Sequence, residues 1–316
     1  MIVLKFGGKS LSTTTKVREI CEYIFTRAKT QKVIVVVSAF GNTTDQLIEQ
    51  YGQYGGTRED TPERDILLST GELQSAALVC TMLSSMGVSA RCMGAREAGI
   101  NAIGAHGKGI ITSIDKRKLN NAQKTHNVIV VAGFQAVDSN NEIITLGRNG
   151  SDTTAVAIAS AFNTAVEIYS DFDGIYHGDP RRHNYSKIDC INYKDATLLA
   201  QSGAPVLSLS SINIAEQSQT PIYTKQASNP TGQGTFVTEV AKPQITISVK
   251  DNLSQITINF NGNLTNMQNS LNYIVQKVNF HSFSAKNNKI ELIIEQKYAK
   301  EAEITLAKLN NLLEAQ

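Results

Sequence analysis

The sequence predicts an α/β protein in which a mostly parallel sheet is sandwiched by helices, followed by a small α+β domain. Short apolar, β-branched runs alternate with longer segments of helical periodicity, which is typical of βαβ units and of a sheet covered on both faces. Residues 226–243 contain the dipeptides Asn-Pro, Thr-Gly and Gly-Thr, which are typical of turns and indicate a domain boundary. Beyond it the pattern changes to closely spaced strands and two helices.

The first region contains strand patterns and helix patterns in alternation. Strands are predicted at residues 2–6, 33–38, 88–92, 128–134, 166–169 and 221–224. Helices are predicted at residues 13–30, 44–51, 61–86, 113–124, 151–162 and 193–202. Ligands on such sheets gather at the carboxyl ends of strands, so Lys5, Ser38 and Phe134 are expected beside a ligand.

The second region has a different order of elements. Strands are predicted at residues 245–249, 255–260, 280–285 and 289–294, and helices at 264–278 and 300–313. We therefore predict two domains, 1–240 and 241–316.

Composition excludes several classes of protein. An apolar fraction of 41% over 316 residues supports a sizeable core, and a net charge of +2 gives no reason to expect nucleic acid or an anionic membrane. The four cysteines are widely spaced, which predicts reduced thiols and neither a disulfide framework nor a zinc site. No signal peptide is recognised, and no apolar run is expected to span a membrane. The expectation is a soluble cytoplasmic protein.

The segment from Thr145 to Ala155 places glycines, one cation, one carboxylate and several hydroxyls between a strand and a helix. Glycine lets a backbone approach a ligand closely, and the first N–H groups of a helix favour anions. The planar guanidinium of Arg148 suits a carboxylate or a phosphate. The alternative is an ordinary strand–loop–helix connection in which Ser151 or Asp152 caps the helix.

The N-terminal strand runs directly into Gly7 and Gly8. Burial of Lys5 at its end is costly unless an anion meets the ammonium group, and the two glycines could turn N–H groups toward the same anion. Gly8-Lys9-Ser10 is not a P-loop, because that motif needs a glycine where Val3 stands. The segment predicts a phosphate-binding turn of another kind.

Five motifs follow one another in order over roughly the first three quarters of the chain. They are Lys5-Phe6-Gly7-Gly8; Val35-Val36-Val37-Ser38-Ala39 with Thr44-Asp45-Gln46-Leu47; Ser69-Thr70-Gly71-Glu72; Leu146-Gly147-Arg148-Asn149-Gly150-Ser151-Asp152-Thr153-Thr154-Ala155; and Ser170-Asp171-Phe172-Asp173-Gly174-Ile175-Tyr176 with Asp179-Pro180-Arg181. Together these motifs resemble those of aspartate kinases within the amino-acid-kinase superfamily. The resemblance implies an amino-acid-kinase-like fold. It also implies ATP-dependent phosphorylation of the β-carboxylate of L-aspartate, the first step toward lysine, threonine and methionine.

The resemblance also implies roles for individual residues. Lys5 meets the transferring phosphoryl group, and Asp152 organises Lys5 and the metal-bearing phosphates. The residues implied for aspartate are Ser38, Thr44, Glu72, Arg148 and Ser151. Glu72 would face the α-ammonium group, although a first-turn glutamate favoured by the helix dipole is an alternative. Thr43 could take the place of Thr44.

The nucleotide side is implied mainly by the last motif. The residues are Lys5, Gly7, Gly8, Ser170, Asp171, Tyr176, Asp179, Arg181 and Lys225. The ring of Tyr176 could stack on adenine, and the planar guanidinium of Arg181 could bind phosphates. Lys225 could equally be a solvated lysine. Mg²⁺ is expected to be held chiefly by ATP oxygens, because no protein ligand cage is visible.

Departures from the family pattern leave other functions open. Lys9 stands where a threonine is usual, and Asn149 where a glycine is usual, although asparagine tolerates left-handed dihedrals. The C-terminal region has room for one ACT-like domain instead of two, so it could bind an amino-acid effector or serve only to form a homodimer or higher oligomer. The alternatives are a related kinase acting on another small acid and a non-catalytic amino-acid sensor.

Overall fold

The computed structural model describes residues 1–181, 185–201, 207–239, 244–250, 253–259, 282–286, 289–298 and 301–302. The chain divides into two compact units, the first made of Met1–Gly174 and Ser210–Phe236 and the second of Ile175–Leu209 and Val237–Gln316. Residues 175–209 thus group with the C-terminal region, and the domain boundary at residue 240 stays a prediction.

The strands, in chain order, are β1 (Ile2–Phe6), β2 (Val33–Val37), β3 (Ala90–Met93), β4 (Ile100–Ile103), β5 (Ile110–Ile114), β6 (Val128–Ala132), β7 (Gln135–Val137), β8 (Ile143–Thr145), β9 (Val166–Ser170), β10 (Ile175–Tyr176), β11 (Lys187–Ile188), β12 (Cys190–Asn192), β13 (Ile222–Gln226), β14 (Thr235–Thr238), β15 (Gln244–Lys250), β16 (Leu253–Asn259), β17 (Ser282–Lys286) and β18 (Lys289–Glu295). The helices are α1 (Thr14–Ala28), α2 (Thr43–Gln53), α3 (Pro62–Ser85), α4 (Ala95–Ala98), α5 (Lys116–Gln123), α6 (Gly150–Ala161), α7 (Tyr193–Gln201) and α8 (Leu209–Ser218). Short 3-10 turns lie at Gly8–Leu11 and Gln296–Tyr298.

The main sheet of the first unit has the order β14-β13-β9-β1-β2-β6-β3. Its strands from β13 to β3 are parallel to their neighbours, and β1, β2 and β6 are buried along their whole length. The predicted parallel sheet is therefore confirmed. Continuous apolar runs form these strands because both faces of the sheet are covered.

A second, mixed sheet of order β5-β4-β7-β8 was not predicted. The strand predicted over 128–134 ends at Ala132, because Phe134 adopts a left-handed φ of 67° and turns the chain into β7. The helix predicted over 113–124 begins only at Lys116, since the residues before it extend β5.

The two faces of β1 contact different helices. Leu4 and Phe6 lie in a core cluster with side chains of α1 and α3. Side chains alternate along a strand, so Lys5 points to the opposite face, where α6 packs on β1, β2 and β9. The first ten residues of α6 are all buried. A charged residue near the carboxyl end of a fully buried strand therefore meets the start of a buried helix.

Helix α3 is, within the described ranges, the one helix long and apolar enough to cross a membrane by length and composition. This corrects the expectation that no apolar run reaches that length. Its buried residues include Asp65 and Glu72, and it packs against β3 and β6. Buried carboxylates and contact with a sheet are the pattern of a core helix in a folded domain.

The second unit contains an antiparallel sheet of order β15-β16-β18-β17 and a short β10–β11 hairpin. Its four sheet strands lie where strands were predicted after residue 243. The helix predicted at 264–278 lies outside the described residues, as does almost all of that predicted at 300–313. The ACT-like character of this region stays a prediction.

Candidate active site

A cavity of about 880 Å³ lies at the carboxyl ends of β1, β2 and β9 in the first unit. It brings together ten of the residues expected to bind substrate or nucleotide: Lys5, Gly7, Gly8, Ser38, Thr44, Glu72, Arg148, Ser151, Ser170 and Asp171. Parallel strands end at one edge of a sheet, so turns that are distant in sequence converge there.

Lys5 lines this cavity and forms an ion pair with Asp152, which lies behind the lining residues. The Nζ atom of Lys5 lies 2.6 Å from Oδ1 of Asp152, and both side chains are about nine-tenths buried. Asp152 stands in the first turn of α6, where the helix dipole favours a carboxylate. The pair gives the ammonium group of Lys5 a fixed position at the edge of the cavity.

The glycine turn after β1 is shaped by close packing. A Cβ atom at Gly8 would lie 2.5 Å from the carbonyl oxygen of Ala39, so only glycine lets the two strand ends approach so closely. The N–H of Gly7 donates to the carbonyl of Tyr169 at 3.3 Å. That N–H extends the β1–β9 ladder, so the expectation that it turns toward an anion is wrong.

The loop before α6 holds Arg148 at the cavity surface. Asn149 has φ 57°, so it takes the left-handed conformation that the usual glycine would take. Asn149 is also the N-cap of α6, and its side chain makes no capping hydrogen bond. The alternative that Ser151 or Asp152 caps this helix is therefore wrong. Arg148 is exposed and, among the described residues, makes no hydrogen bond or ion pair. Its guanidinium is available to a ligand.

Glu72 is a buried carboxyl with one unused oxygen. Its Oε1 accepts a hydrogen bond from the N–H of Ala39 at 3.0 Å, whereas Oε2 has no hydrogen-bond partner in the described part of the chain. Burial raises the pKa of Glu72 to about 7, against the opposing effects of the Ala39 bond and of the Lys5 charge. Glu72 lies in the middle of α3, so the first-turn helix-dipole alternative is wrong. A cationic group in the cavity would favour the ionised form.

The choice between Thr43 and Thr44 has a geometric answer. Thr44 lines the cavity. The methyl group of Thr43 lies 3.5 Å from where a Cβ at Gly71 would stand, so Thr43 packs toward α3. Ser38 and Ser151 also line the cavity, so all three hydroxyl-bearing residues predicted to bind substrate lie on its wall.

The predicted nucleotide residues divide into two groups. Ser170 and Asp171 line the cavity, and Asp171 forms an ion pair with Lys9 at 3.2 Å. Lys9 therefore does not displace Lys5 from Asp152. Lys225 does not line the cavity, and its Nζ lies 3.9 Å from Oε2 of buried Glu167.

The remaining nucleotide residues belong to the second unit. They are Tyr176, Asp179 and Arg181. The guanidinium of Arg181 donates through Nε and Nη2 to the two carboxylate oxygens of Asp179 at 2.9 and 2.8 Å. This pair rigidifies the predicted turn and leaves Arg181 largely exposed.

Several residues of the cavity wall were not anticipated from the sequence. They are Glu59, Arg64, Gly107 and Lys108, whereas Asp45 belongs to the second motif but had no predicted role. Buried Asp65 lies directly behind this wall and accepts hydrogen bonds from Gly107 and Thr145. The Gly107-Lys108 dipeptide was the only available signal, because a lysine beside a glycine in a loop is a common feature of anion sites.

Sequence comparison relates the chain to known kinases. The profile of the amino acid kinase family matches residues 1–225. Aspartokinase 2 of Bacillus subtilis is 32% identical over 303 residues, which cover 93% of this chain and 72% of that protein. The aspartokinase of Mycobacterium tuberculosis is 37% identical over 231 residues, covering 72% of this chain and 55% of that protein. The chain thus spans about half the length of the mycobacterial relatives it matches.

Solved structures share the fold. Escherichia coli aspartokinase III in complex with lysine and aspartate has a TM-score of 0.76 at 17% identity, covering 98% of this chain and 99% of that one. The same enzyme with aspartate and ADP has a TM-score of 0.67 at 20% identity, covering 93% and 79%. Uridylate kinase from Archaeoglobus fulgidus, at a TM-score of 0.56 and 21% identity, covers 75% of this chain and 100% of that one. At these identities the likeness establishes the fold alone.

Proposed function

We propose, from the premise that the chain belongs to the aspartokinases of the amino acid kinase family, that it transfers the γ-phosphoryl group of ATP to the β-carboxylate of L-aspartate. The product is 4-phospho-L-aspartate. The observation that carries the proposal is the presence, around one cavity, of the Lys5–Asp152 pair, the guanidinium of Arg148 and Oε2 of Glu72, the last two being without a partner in the part of the chain that the structure describes.

The charges of the cavity complement those of aspartate. The Arg148 guanidinium suits the α-carboxylate through paired hydrogen bonds, and Glu72 suits the α-ammonium group. The hydroxyls of Ser38, Thr44 and Ser151 offer further hydrogen bonds. With both α-groups held, the β-carboxylate is the part of the substrate left to meet the phosphoryl donor.

Phosphoryl transfer between two anions depends on positioning and on neutralisation of charge. An oxygen of the β-carboxylate attacks the γ-phosphorus, the bond from that phosphorus to the β,γ-bridging oxygen breaks, and ADP leaves. Lys5 places a positive charge where negative charge accumulates on the transferring oxygens. Asp152 holds that ammonium group still, so little reorganisation is needed during the reaction.

ATP is proposed to lie along the turn that follows β1, with its phosphates near Lys5, Gly8, Ser170 and Asp171. Magnesium, bound to the nucleotide, would neutralise part of the triphosphate charge. We propose that this metal is held chiefly by ATP oxygens. Among the described residues, no group of three or more His, Cys, Asp or Glu side chains could hold a metal ion. Tyr176, Asp179 and Arg181 stay predicted nucleotide contacts, and Lys225 is the weakest member of the set because it already faces Glu167.

The wider setting of the enzyme follows from the same premise. We propose a cytoplasmic enzyme that opens the route to lysine, threonine and methionine. The C-terminal region would be an ACT-like module that pairs subunits and binds an amino-acid effector. Its predicted exposed strand edges suit subunit pairing.

A second candidate is a kinase of the same fold that uses another acceptor, because uridylate kinases share this architecture. Glu72 discriminates between the two. A nucleoside monophosphate or an N-acylated amino acid has no ammonium group to offset the cost of ionising a buried carboxyl.

The proposal is tested by acceptor-dependent ATP turnover with hydroxylamine present, which converts an acyl phosphate into a hydroxamate that is detected as its coloured ferric complex. We expect hydroxamate with L-aspartate and none with N-acetyl-L-aspartate or UMP. Parallel reactions with lysine or threonine report on the proposed effector. ATP turnover with UMP alone would contradict the proposal and favour the second candidate.

A further inference from the structure

Asp65 is a fully buried carboxylate that does not line the proposed substrate and nucleotide cavity. It lies in the first turns of α3, and its exposed fraction is 0%. Its Oδ2 accepts hydrogen bonds from Nδ1 of His106 at 2.9 Å, from the N–H of Gly107 at 3.0 Å and from the N–H of Thr145 at 2.9 Å. Its Oδ1 accepts from the hydroxyl of Thr145 at 2.5 Å.

These bonds hold the two segments that form one wall of the cavity. Thr145 is the last residue of β8 and precedes Leu146, Gly147 and Arg148 without a break. Gly107 and Lys108 line the same cavity as Arg148, and the carbonyl oxygen of Gly107 lies 3.2 Å from where a Cβ at Gly147 would stand. The buried carboxylate keeps all four hydrogen bonds only in one arrangement of these segments, since a shift of either would remove two of its four donors in the interior.

The same helix carries the other end of the proposed substrate site. Glu72 follows Asp65 by two helical turns, about 10 Å along the axis, and so lies on nearly the same face of α3. Helix α3 therefore connects Glu72, which is proposed to bind the α-ammonium group of aspartate, to Asp65, which accepts hydrogen bonds from Thr145 at the start of the Arg148 loop.

We infer that Asp65, oriented by His106, is a positioning residue that sets the separation between Arg148 and Glu72. This inference rests on the proposed function, because it assigns those two residues to the opposite α-groups of one amino acid. A change at Asp65 or His106 should affect the binding of one substrate only. Disturbing Asp65 or His106 weakens the binding of aspartate and leaves the nucleotide side, built on β1 and β9, unchanged.

A purely structural role for Asp65 has different consequences. It would lower the stability of the first unit, and any loss of activity would follow the folded fraction, with the Michaelis constants unchanged. The separation of KM from kcat therefore distinguishes the two roles.

The experiment uses the full chain with four substitutions: Asp65→Asn, His106→Ala, His106→Asn and Glu63→Gln. An asparagine side chain at position 106 can place an amide N–H near the position of Nδ1, whereas alanine cannot. Glu63→Gln is the matched control, because it removes a carboxylate charge from the same helical turn at an exposed position.

We expect Asp65→Asn to raise KM for aspartate about tenfold and His106→Ala about threefold, as the loss of hydrogen bonds to a buried carboxylate implies. KM for ATP should change less than about twofold, and His106→Asn and Glu63→Gln should resemble the wild type. Equal changes in both Michaelis constants, or no rescue by His106→Asn, would overturn the inference.

A second measurement does not depend on activity. Amide hydrogen exchange of residues 145–149, followed by mass spectrometry without substrates, should be faster in His106→Ala than in wild type and unchanged in Glu63→Gln. If the wild type forms no hydroxamate but the exchange changes in this way, the proposed function fails and the positioning role survives. Unchanged exchange in both Asp65→Asn and His106→Ala would remove the positioning role itself.

Discussion

The ammonium group of Lys5 lies 2.6 Å from the carboxylate of Asp152, joining the central strand β1 to the first turn of α6. Both side chains are largely withdrawn from water, so each charge depends on the other. This relationship explains why a lysine is tolerated in a fully buried strand. It also places a positive charge at the strand end where parallel sheets bind ligands.

Replacement of Lys5 by methionine should abolish turnover and also destabilise the protein. We expect kcat to fall by about three orders of magnitude, because a charge that acts on the transferring phosphoryl group is lost. Asp152 would be left buried without its partner, at a cost of about 3 kcal/mol in the free energy of unfolding. Hydroxamate assays and urea denaturation measure the two effects, with exposed Lys124→Met as control.

The double variant Lys5→Met with Asp152→Asn separates stability from catalysis. Removing both charges should recover part of the lost stability, because no unpaired buried charge remains, and should recover no activity. Activity in either variant would mean that Lys5 does not act on the phosphoryl group.

Glu72 should make stability depend on pH in the absence of substrate. Its pKa rises from an ordinary 4.5 to about 7 on burial, so between these values the folded state binds more protons than the unfolded state. The neutral carboxyl therefore contributes about 3 kcal/mol to the free energy of unfolding. This contribution is complete below about pH 4.5 and is lost as the pH rises through 7. Glu72→Gln should not show this loss of stability, because glutamine does not ionise. Thermal unfolding of both proteins at pH 5 and pH 8 tests the prediction. A constant difference between the two melting temperatures would contradict the shifted pKa.

The same ionisation should appear in catalysis. The ionised form of Glu72 is the one that attracts an ammonium group, so kcat/KM for aspartate should rise as the pH passes through about 7. In Glu72→Gln, kcat/KM for aspartate should be low at every pH and should not rise near pH 7. The measurement is a pH profile at saturating ATP. A profile with the same inflection in both proteins would assign the titration to another group.

Arg148 should contribute to substrate binding and little to stability. It is exposed and unpaired within the described residues, so Arg148→Ala should change the free energy of unfolding by less than about 0.5 kcal/mol. KM for aspartate should rise about a hundredfold in the alanine variant and about tenfold in Arg148→Lys, because lysine cannot form the paired hydrogen bonds. Arg117→Lys, at an arginine that is 88% exposed and pairs with Asp115, is the control. An unchanged KM in Arg148→Ala would exclude this residue from the substrate site.

Lys9 should act on ATP through its charge alone. It is 77% exposed and pairs with Asp171 at the rim of the cavity. Lys9→Thr should raise KM for ATP by about twofold to threefold at low ionic strength, and the effect should vanish at high salt, because exposed charges are screened. A large effect that persists in high salt would mean that Lys9 contacts the phosphates directly.

The sequence predicted the parallel sheet well, because buried strands and glycine turns leave local signals. It also indicated the residues at the strand ends, since their chemistry is unusual for their position. Asp65 could not be found in this way, because its partners Gly107 and Thr145 are 42 and 80 residues away. The second sheet was missed for a similar reason, since the turn at Phe134 depends on a hydrogen bond from its N–H to the hydroxyl of Thr154. The neighbour of Lys225 was also hidden from the sequence, because nothing local reveals that buried Glu167 lies within 3.9 Å of its Nζ atom.

The most direct test of the proposed activity is to identify the phosphorylated carboxyl group. The wild-type protein is incubated with ATP, Mg²⁺ and L-aspartate, and the acyl phosphate is reduced with borohydride, which converts the activated carboxyl into an alcohol. We expect homoserine, the product of reduction at the β-carboxyl, and none from Lys5→Met. The isomer reduced at the α-carboxyl, or no amino alcohol from a protein that hydrolyses ATP, would contradict the assignment of Arg148 and Glu72 to the α-groups.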